Sequence, residues 1–297
     1  MVMNVLSLFN GMSTGHTALD NVGIKVGKYY SSEIKPVAIK LTQHHYPDTI
    51  QVGDVNKWKE WDIDWKSIDM VLSGSPCQDL SAAGQHQKRD GLEGERSSLF
   101  FVFVDILNYI KELNPKVLFL QENVGSAPKS DVGIMSRALG VYPVRINSKL
   151  VTAQLRDRYY WSNIRTAPDG MFGDIITDIP EPKDKKIILK DILTEGNVDR
   201  DKHTCLMEHY QKAFHFGERD SKKWQDYAKK RVQNTGTTTL IEKDGLVRIV
   251  NKVEMCRLQG FPDDWCDILT DVEAGSLLGD GWTLPIIEHI FGYINEK

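Results

Sequence analysis

The sequence is poor in cysteine, with four in 297 residues and no two in a CxxC pair. Cys77, Cys205, Cys256 and Cys266 are too scattered for a disulfide framework or for the paired ligands of a structural zinc site. The cysteine pattern therefore excludes a small disulfide-stabilised scaffold and predicts a protein of a reducing compartment.

Long apolar runs are also missing. No stretch approaches the ~18 consecutive apolar residues that suggest a membrane-spanning helix, and the first residues lack the pattern of a signal peptide. Hydrophobic residues still make up 41% of the chain, which is enough for a buried core. We expect a folded cytoplasmic protein with no membrane partner, in one large domain or two smaller ones.

Charge of one sign does not dominate, because the formal net charge is only -4. The basic residues are unevenly placed: residues 181–252 hold 16 lysines and arginines against 12 aspartates and glutamates. A modestly basic region on an acidic chain can form a binding face, although an ordinary solvated surface gives the same pattern.

Short apolar runs alternate with helical patterns through the first half of the chain. This alternation predicts a doubly wound, Rossmann-like α/β sheet of parallel strands, with ligands at the carboxyl ends of the strands. The strand-like runs are residues 5–8, 26–31, 49–52, 70–73, 117–120 and 159–162, and the helical patterns are residues 35–43, a long helix from Ser97 or Ser98 onward, and residues 284–294.

The alternation ends near residue 164 and regular apolar spacing returns at residue 253. The intervening segment is rich in aspartate, lysine and threonine. We therefore predict a catalytic and cofactor-binding domain from residues 1–163 plus 253–297, and a smaller lobe from residues 164–252.

A glycine-bearing turn follows the first predicted strand. Gly11 and Gly15 permit close approach of the backbone to a ligand, and free N–H groups at a helix start attract anions. Glu33, about 20 residues on, lies where an acidic side chain can hold ribose hydroxyls. The spacing is not GxGxxG, which disfavours a dinucleotide, and a simple tight turn remains an alternative for this segment.

Cys77 follows Pro76 at the predicted carboxyl end of a strand, in a polar setting. A thiolate is a strong nucleophile, and its position here is unusual for a cysteine that only packs. An inert buried thiol is the alternative. The long polar segment that follows, up to residue 96, has the length and composition of a functional loop.

Two further segments carry polar side chains at strand ends. Glu122 ends an apolar strand and is a candidate general acid, with a helix cap or a surface acid as the alternative. Gln154, Arg156 and Arg158 alternate along another predicted strand, which would place them on one face. Such a face suits phosphate or base-edge contacts, and an exposed edge strand is the other interpretation.

Taken in this order, these motifs resemble the DNA (cytosine-5) methyltransferase family, and within it the catalytic domain of the animal de novo enzymes. The resemblance covers nearly the whole chain apart from the small lobe and favours a stand-alone bacterial or bacteriophage enzyme. The matching motifs are the turn at residues 9–15, Pro76-Cys77, Glu122-Asn123-Val124, Gln154-x-Arg156-x-Arg158, residues 257–262 and residues 279–285.

The resemblance implies a chemistry for these residues. Cys77 would attack C6 of a flipped cytosine, Glu122 would contact N3, and C5 would take a methyl group from S-adenosyl-L-methionine. Arg156 and Arg158 would hold the cytosine edge and a nearby phosphate. No metal is required by this mechanism.

The same resemblance implies a set of cofactor contacts. Asn10 departs from the acid that is common at its position in the close relatives, which puts its contact in doubt. The implied cofactor residues are Phe9, Asn10, Gly11, Met12, Thr14, Gly15, Glu33, Ile34, Asp54, Val55, Pro76, Leu99 and Trp282.

Double-stranded DNA is the expected partner. A threonine-rich run in the small lobe suits base-edge contacts and the lysines beside it suit phosphate, although threonine also favours a core strand. The relatives that read CpG place an arginine where this chain has Thr239, so we do not expect a simple CpG preference. The candidate DNA contacts are Gln78, Ser81, Gln154, Lys229, Lys230, Thr237, Thr238 and Thr239.

Three rival functions remain open from the sequence. A tRNA cytosine-5 methyltransferase uses the same fold and the same motifs, a nicotinamide-dependent oxidoreductase would account only for the first turn and Glu33, and a non-catalytic DNA-binding relative would not need Cys77. For self-association we expect a monomer, or a homodimer through the face of Phe101.

Overall fold

A central sheet orders the first part of the chain in the computed structural model, which describes residues 2–76, 99–170, 173–209, 211, 214, 219–235 and 239–296. Within these residues the sheet has seven strands in the order β3-β2-β1-β4-β5-β7-β6. The strands are β1 (Val2–Leu8), β2 (Lys25–Ser32), β3 (Ile50–Gln51), β4 (Met70–Ser73), β5 (Leu118–Val124), β6 (Val144–Asn147) and β7 (Asp157–Ser162).

The order of the strands reverses between β1 and β4. The chain builds outward from β1 through β2 to β3, then returns to place β4 on the other side of β1, with parallel pairing from β3 through to β5. Such a reversal opens a crevice at the carboxyl edge of the sheet, where ligands of doubly wound folds bind. The intervening helices are α1 (Thr14–Asn21), α2 (Pro36–His45), α3 (Leu99–Leu113) and α4 (Lys129–Leu139).

The helix α3 covers one face of the sheet because its apolar residues recur at helical spacing. Phe103, Leu107 and Ile110 are fully buried and join a cluster that includes Val71 of β4 and Phe119 of β5. Burial of each such side chain contributes roughly 1.5–3 kcal/mol. This packing fixes the carboxyl edge on which the candidate site lies.

The strands after β7 are short, with three or four residues each. Two small antiparallel sheets pair β8 with β9 and β10 with β11. The elements are β8 (Thr166–Asp169), β9 (Asp174–Thr177), α5 (Leu189–Ile192), α6 (Lys222–Thr235), β10 (Ile241–Lys243), β11 (Leu246–Arg248), α7 (Lys252–Gln259), α8 (Asp271–Asp280) and α9 (Leu284–Gly292).

The chain forms two compact units. The first comprises Met1–Ile146, Asp157–Glu181 and Ile287–Lys297, and the second comprises Asn147–Arg156 and Pro182–Ile286. These bounds differ from the predicted ones, since β8 and β9 belong to the first unit while α7 and α8 belong to the second. The division into a catalytic domain and a recognition lobe stays a prediction.

The predicted α/β fold class is confirmed, with one difference in strand direction. Each apolar run named above overlaps a strand, but β7 pairs antiparallel with β5. The sequence pattern also missed β6, β8 and β9, which carry few consecutive apolar residues. In the part of the chain that the structure describes, the helices are too short or too polar to cross a membrane.

Candidate active site

The carboxyl ends of neighbouring strands gather the predicted site residues of the first unit. Phe9 follows β1, Glu33 follows β2, Asp54 lies just beyond β3, Pro76 follows β4, and Glu122 lies near the end of β5. Because these strands are parallel and adjacent, their ends meet at one edge of the sheet. Cys77, Gln78 and Ser81 lie outside the described residues.

The turn after β1 is held in an uncommon backbone conformation. Phe9, Gly11 and Ser13 all have left-handed dihedrals, with φ of 55°, 57° and 59°. For residues other than glycine this conformation costs on the order of 1–2 kcal/mol each, so neighbouring contacts must hold it. Met12 is buried just before α1, and Thr14 and Gly15 are buried in the first turn of that helix.

The Glu33 carboxylate makes one of the contacts that hold this turn. Its Oε2 accepts a hydrogen bond from Gly11 N at 2.8 Å, and its Oε1 accepts from Ile34 N and Lys35 N at 2.8 and 2.9 Å. A carboxylate offers about four lone-pair sites, so Glu33 retains capacity for a hydroxyl donor. The residue therefore shapes the turn and can also bind a ligand.

The side chain of Asn10 makes hydrogen bonds with three other residues of the protein. Its Nδ2 donates to Ser13 Oγ at 2.7 Å and to Thr42 Oγ1 at 3.3 Å, and its Oδ1 accepts from the Tyr29 hydroxyl at 3.1 Å. This network gives Asn10 a part in holding the turn. Sequence reasoning missed Tyr29 and Thr42, since nothing local in β2 or α2 indicates this contact.

The remaining cofactor candidates of the first unit are apolar or acidic. Ile34 is 71% exposed beside Glu33, while Val55 is buried and Leu99 is half-buried at the start of α3. Asp54 accepts hydrogen bonds from Asn56 N and Nδ2 at 2.9 and 3.0 Å. Apolar surface beside carboxylates matches the chemistry of an adenosine group.

Glu122 is paired with Arg158 across two antiparallel strands. Arg158 Nε lies 2.8 Å from Glu122 Oε1, and both side chains are largely buried. In the register, Val124 is opposite Arg158, which makes Glu122 its diagonal neighbour within reach of a long side chain. The pair thus fixes a carboxylate at the edge where β5 ends.

Buried polar side chains hold the segment that leads to Pro76. Gln121 Nε2 donates to Ser75 Oγ at 2.9 Å, and Asn123 Nδ2 donates to the same oxygen at 3.4 Å. Ser75 thus joins the end of β4 to β5. Sequence reasoning missed Gln121, although a glutamine within the apolar strand β5 was a usable signal.

The prediction that Gln154, Arg156 and Arg158 share one strand face is wrong. The strand β7 begins at Asp157, and the two earlier residues are buried in the second unit. Gln154 Nε2 donates to Leu258 O at 2.7 Å and to Gln259 Oε1 at 3.0 Å. A residue so enclosed has no surface to offer DNA.

Arg156 is 3% exposed and its guanidinium is occupied by the protein. It donates to Leu206 O at 3.0 Å, to Gly279 O at 3.1 Å and to Gly281 O at 2.8 Å, and it also contacts Cys205 Sγ at 3.3 Å. These contacts replace the expected contact with a phosphate or a cytosine. The buried guanidinium instead satisfies carbonyls at the end of α8.

The small-lobe candidates differ in exposure. Lys229 and Lys230 are exposed on α6, whereas Thr239 is wholly buried and its hydroxyl accepts from Thr204 N at 3.4 Å. Thr239 thus packs as a core threonine, and its burial does not support the expected contact with a base edge. Thr237 and Thr238 lie outside the described residues.

Trp282 lies between α8 and α9 in the second unit and is half-buried. It directly follows Gly281, which accepts the hydrogen bond from Arg156. The structure thus places Trp282 at a turn that is held from within the second unit.

Comparison with known proteins gives the family of the chain. The family model described as C-5 cytosine-specific DNA methylase matches residues 3–296. The chain belongs to the C-5 cytosine-specific DNA methylase family. This membership confirms the predicted resemblance and removes the nicotinamide-dependent oxidoreductase as an alternative.

Relatives of this chain include proteins of phages and bacteria. Orphan methyltransferase M.SPRI of Bacillus phage SPR is 34% identical over an alignment of 178 positions, which covers 55% of this chain and 38% of that protein. Type II methyltransferase M.HpaII of Haemophilus parainfluenzae is 26% identical over an alignment of 333 positions, which covers 98% of this chain and 89% of that protein. The chain thus spans less than half the length of the phage relative.

Solved structures share the fold of this chain. The Entamoeba histolytica methyltransferase EhMeth matches with a TM-score of 0.67 at 17% identity, covering 100% of this chain and 98% of that one. A DNMT2 variant of Spodoptera frugiperda matches with a TM-score of 0.61 at 18% identity, covering 99% of each chain. At these identities the matches show the methyltransferase fold alone.

Proposed function

We propose that this chain is a DNA cytosine-5 methyltransferase that uses S-adenosyl-L-methionine and acts on a cytosine flipped out of double-stranded DNA. The Glu122–Arg158 pair carries the proposal, because it fixes a carboxylate next to the strand end that leads to Pro76. Family membership supplies the reaction class.

The residues at the first turn fit the proposed cofactor. Ile34 and Phe9 offer apolar contact for adenine, Glu33 can accept from the ribose hydroxyls, and the N–H groups at the start of α1 suit a carboxylate. Met12, Thr14 and Asp54 complete the proposed cofactor contacts of the first unit. When bound, S-adenosyl-L-methionine supplies an electrophilic methyl group.

The proposed mechanism assigns one step to each side chain. The Cys77 thiolate forms a bond to cytosine C6, while Glu122 donates a hydrogen bond or proton at N3 and so stabilises the negative charge that develops at C5. Arg158 keeps the Glu122 carboxyl in position and contributes positive charge. After C5 has taken the methyl group, loss of the C5 proton restores the ring and expels Cys77.

The proposed DNA contacts divide by chemistry. Gln78 and Ser81 would act beside the flipped base, Thr237 and Thr238 would read base edges, and Lys229 and Lys230 would contact phosphate. Relatives named as type II and phage methyltransferases favour DNA modification in a bacterial or phage-infected cell as the setting.

Methyl transfer from labelled S-adenosyl-L-methionine to duplex DNA tests the proposal. We expect incorporation into DNA, none with Cys77→Ala, and a covalent complex of the wild type with DNA that carries 5-fluorocytosine, since fluorine blocks the final elimination. Incorporation into tRNA but not DNA would instead establish the tRNA enzyme, and a fully active Cys77→Ala protein would contradict the assigned nucleophile.

A binding measurement tests the cofactor part separately. Because a charge-assisted hydrogen bond contributes about 1.5–3 kcal/mol, Glu33→Ala should weaken S-adenosyl-L-methionine binding about ten-fold or more by calorimetry. Glu33→Gln is the matched control, since its amide oxygen can still accept from Gly11 N and hold the turn. Unchanged affinity in both variants would place the ribose elsewhere.

A further inference from the structure

Tyr29 is a buried tyrosine whose hydroxyl reaches the proposed cofactor turn. It is 2% exposed on β2, and its hydroxyl donates to Asn10 Oδ1 at 3.1 Å. Burial raises the pKa of Tyr29, so the hydroxyl keeps its proton and remains a donor at any physiological pH. The hydrogen bond fixes which way the Asn10 amide points.

The orientation of Asn10 matters because its other end holds the turn. With Oδ1 turned to Tyr29, the Nδ2 group donates to Ser13 Oγ at 2.7 Å and to Thr42 Oγ1 at 3.3 Å. Ser13 is itself left-handed and precedes α1. The Tyr29–Asn10 contact thus acts on the two ends of the turn, at Asn10 and at Ser13.

The position of Tyr29 is set by packing on its other side. Its ring stacks on His16 with centroids 4.5 Å apart, and His16 in turn stacks on Tyr46 at 3.8 Å. A Cβ at Gly15 would lie 3.3 Å from the Tyr29 hydroxyl, so α1 passes directly against it. The stack on His16 and the close passage of α1 at Gly15 therefore hold the Tyr29 side chain in place.

We propose that Tyr29 is a positioning residue for the cofactor: its hydroxyl orients Asn10, and Asn10 holds the turn from Phe9 to Ser13 in the conformation that binds S-adenosyl-L-methionine. The inference rests on the proposed function and deepens it. Tyr29 contacts no substrate in this scheme and acts only through Asn10.

Tyr29→Phe removes the hydroxyl and keeps the stacked ring. We expect about five-fold weaker binding of S-adenosyl-L-methionine by calorimetry, the loss that corresponds to one neutral hydrogen bond. The KM for the cofactor should rise by the same factor while kcat and the affinity for duplex DNA stay unchanged. A purely structural role would instead change cofactor affinity, kcat and DNA affinity together, or change none of them.

Tyr46→Phe is the matched control, because Tyr46 stacks on the same histidine while its hydroxyl donates to Thr17 Oγ1 at 2.9 Å, inside α1. We expect it to leave cofactor affinity unchanged. Equal losses in the two tyrosine variants would overturn the proposal.

A double-mutant cycle with Asn10→Ala tests the route through Asn10. If Tyr29 acts only through Asn10, Tyr29→Phe has no further effect in the Asn10→Ala background. Additive losses overturn the proposal, as does full cofactor affinity in Tyr29→Phe. Absence of cofactor binding in the wild type would instead refute the proposed function itself.

Discussion

Arg158 reaches Glu122 because β7 runs antiparallel to β5. The register sets Val124 opposite Arg158 and leaves Arg158 Nε 2.8 Å from Glu122 Oε1. In a parallel arrangement the first residues of β7 would lie at the amino end of β5, far from Glu122. The antiparallel direction of β7 therefore brings the two side chains together at the carboxyl edge of the sheet.

Arg158→Lys should separate charge from geometry in this pair. Lysine keeps the positive charge but lacks the planar guanidinium that holds a carboxylate in place. We expect methyl transfer to fall about 100-fold, the lower range for a misplaced general acid, with cofactor affinity unchanged. Single-turnover rates and calorimetry measure the two effects.

Arg145→Lys is the control for this change, because Arg145 donates through Nε to Asp157 Oδ2 at 2.9 Å on the exposed side of the neighbouring strands. It should leave the rate as in the wild type. A near-normal rate in Arg158→Lys would mean that the carboxylate needs no guanidinium.

The sequence predicts which residues lie at the carboxyl edge of the sheet because the local signals there are strong. Each of the parallel strands ends in a turn or polar residue directly after an apolar run, so Glu33 and Glu122 could be placed without coordinates. The direction of β7 could not be predicted, because strand pairing depends on contacts between residues more than 30 positions apart, such as Glu122 and Tyr160.

The burial of Arg156 illustrates a second limit of the sequence. A charged side chain at a strand entrance suggests exposure, but this guanidinium is enclosed by carbonyls from Leu206 and Gly279, which lie 50 and 123 positions away. The carbonyl of Gly279 is open to this contact because α8 ends at Asp280. No local pattern around Arg156 reports the end of a distant helix.

Arg156→Gln should therefore weaken the fold of the second unit and leave phosphate contacts intact. Losing a buried donor to several carbonyls costs about 1–3 kcal/mol of unfolding free energy, measurable by urea denaturation. The slope of log affinity for DNA against log salt should match that of the wild type. A slope reduced by about 0.9 would instead reveal one lost phosphate contact.

His16 should make the stability of the first unit depend on pH. Burial between Tyr29 and Tyr46 lowers the pKa of His16 to about 4. Between about pH 6.5, the ordinary pKa of histidine, and about pH 4, His16 therefore carries a proton in the unfolded chain but not in the folded one. This contribution to stability is complete above the ordinary pKa and is lost as the pH falls toward 4.

His16→Phe keeps a ring in the stack and removes the titration. We expect unfolding free energy near the wild-type value at pH 7 and a smaller loss between pH 7 and 4.5. Some loss should remain, because burial also lowers the pKa of His203 to about 4. An unchanged pH profile in His16→Phe would show that the pKa of His16 does not differ between the folded and unfolded states.

A substitution at Phe101 is the most direct test of self-association. It is 40% exposed on α3, next to the buried Phe100 at a ring distance of 5.3 Å. If two chains pair, we expect this face to be the contact, so Phe101→Asp should give a monomer by light scattering at every concentration. A dimer that survives the change would place the contact on another face.

The lysines of α6 should set DNA affinity without setting sequence preference. Trp224 and Ala228 bury the opposite side of the helix, and Gln225 ties it to β11 through two hydrogen bonds of 2.8 Å with the main chain of Val247. Lys229 and Lys230 are therefore presented on a fixed, exposed face. Phosphate contacts position a protein on DNA and carry no sequence information.

Lys229→Gln and Lys230→Gln should each lower the salt slope of DNA binding by about 0.9 and leave the methylated sequence unchanged. Lys243→Gln is the control, since Lys243 is already paired with Glu195. Thr237→Ala and Thr238→Ala should do the opposite, changing the methylation profile over a random DNA library at constant salt slope. A lysine variant with an altered site preference, beside threonine variants with none, would contradict this division between affinity and readout.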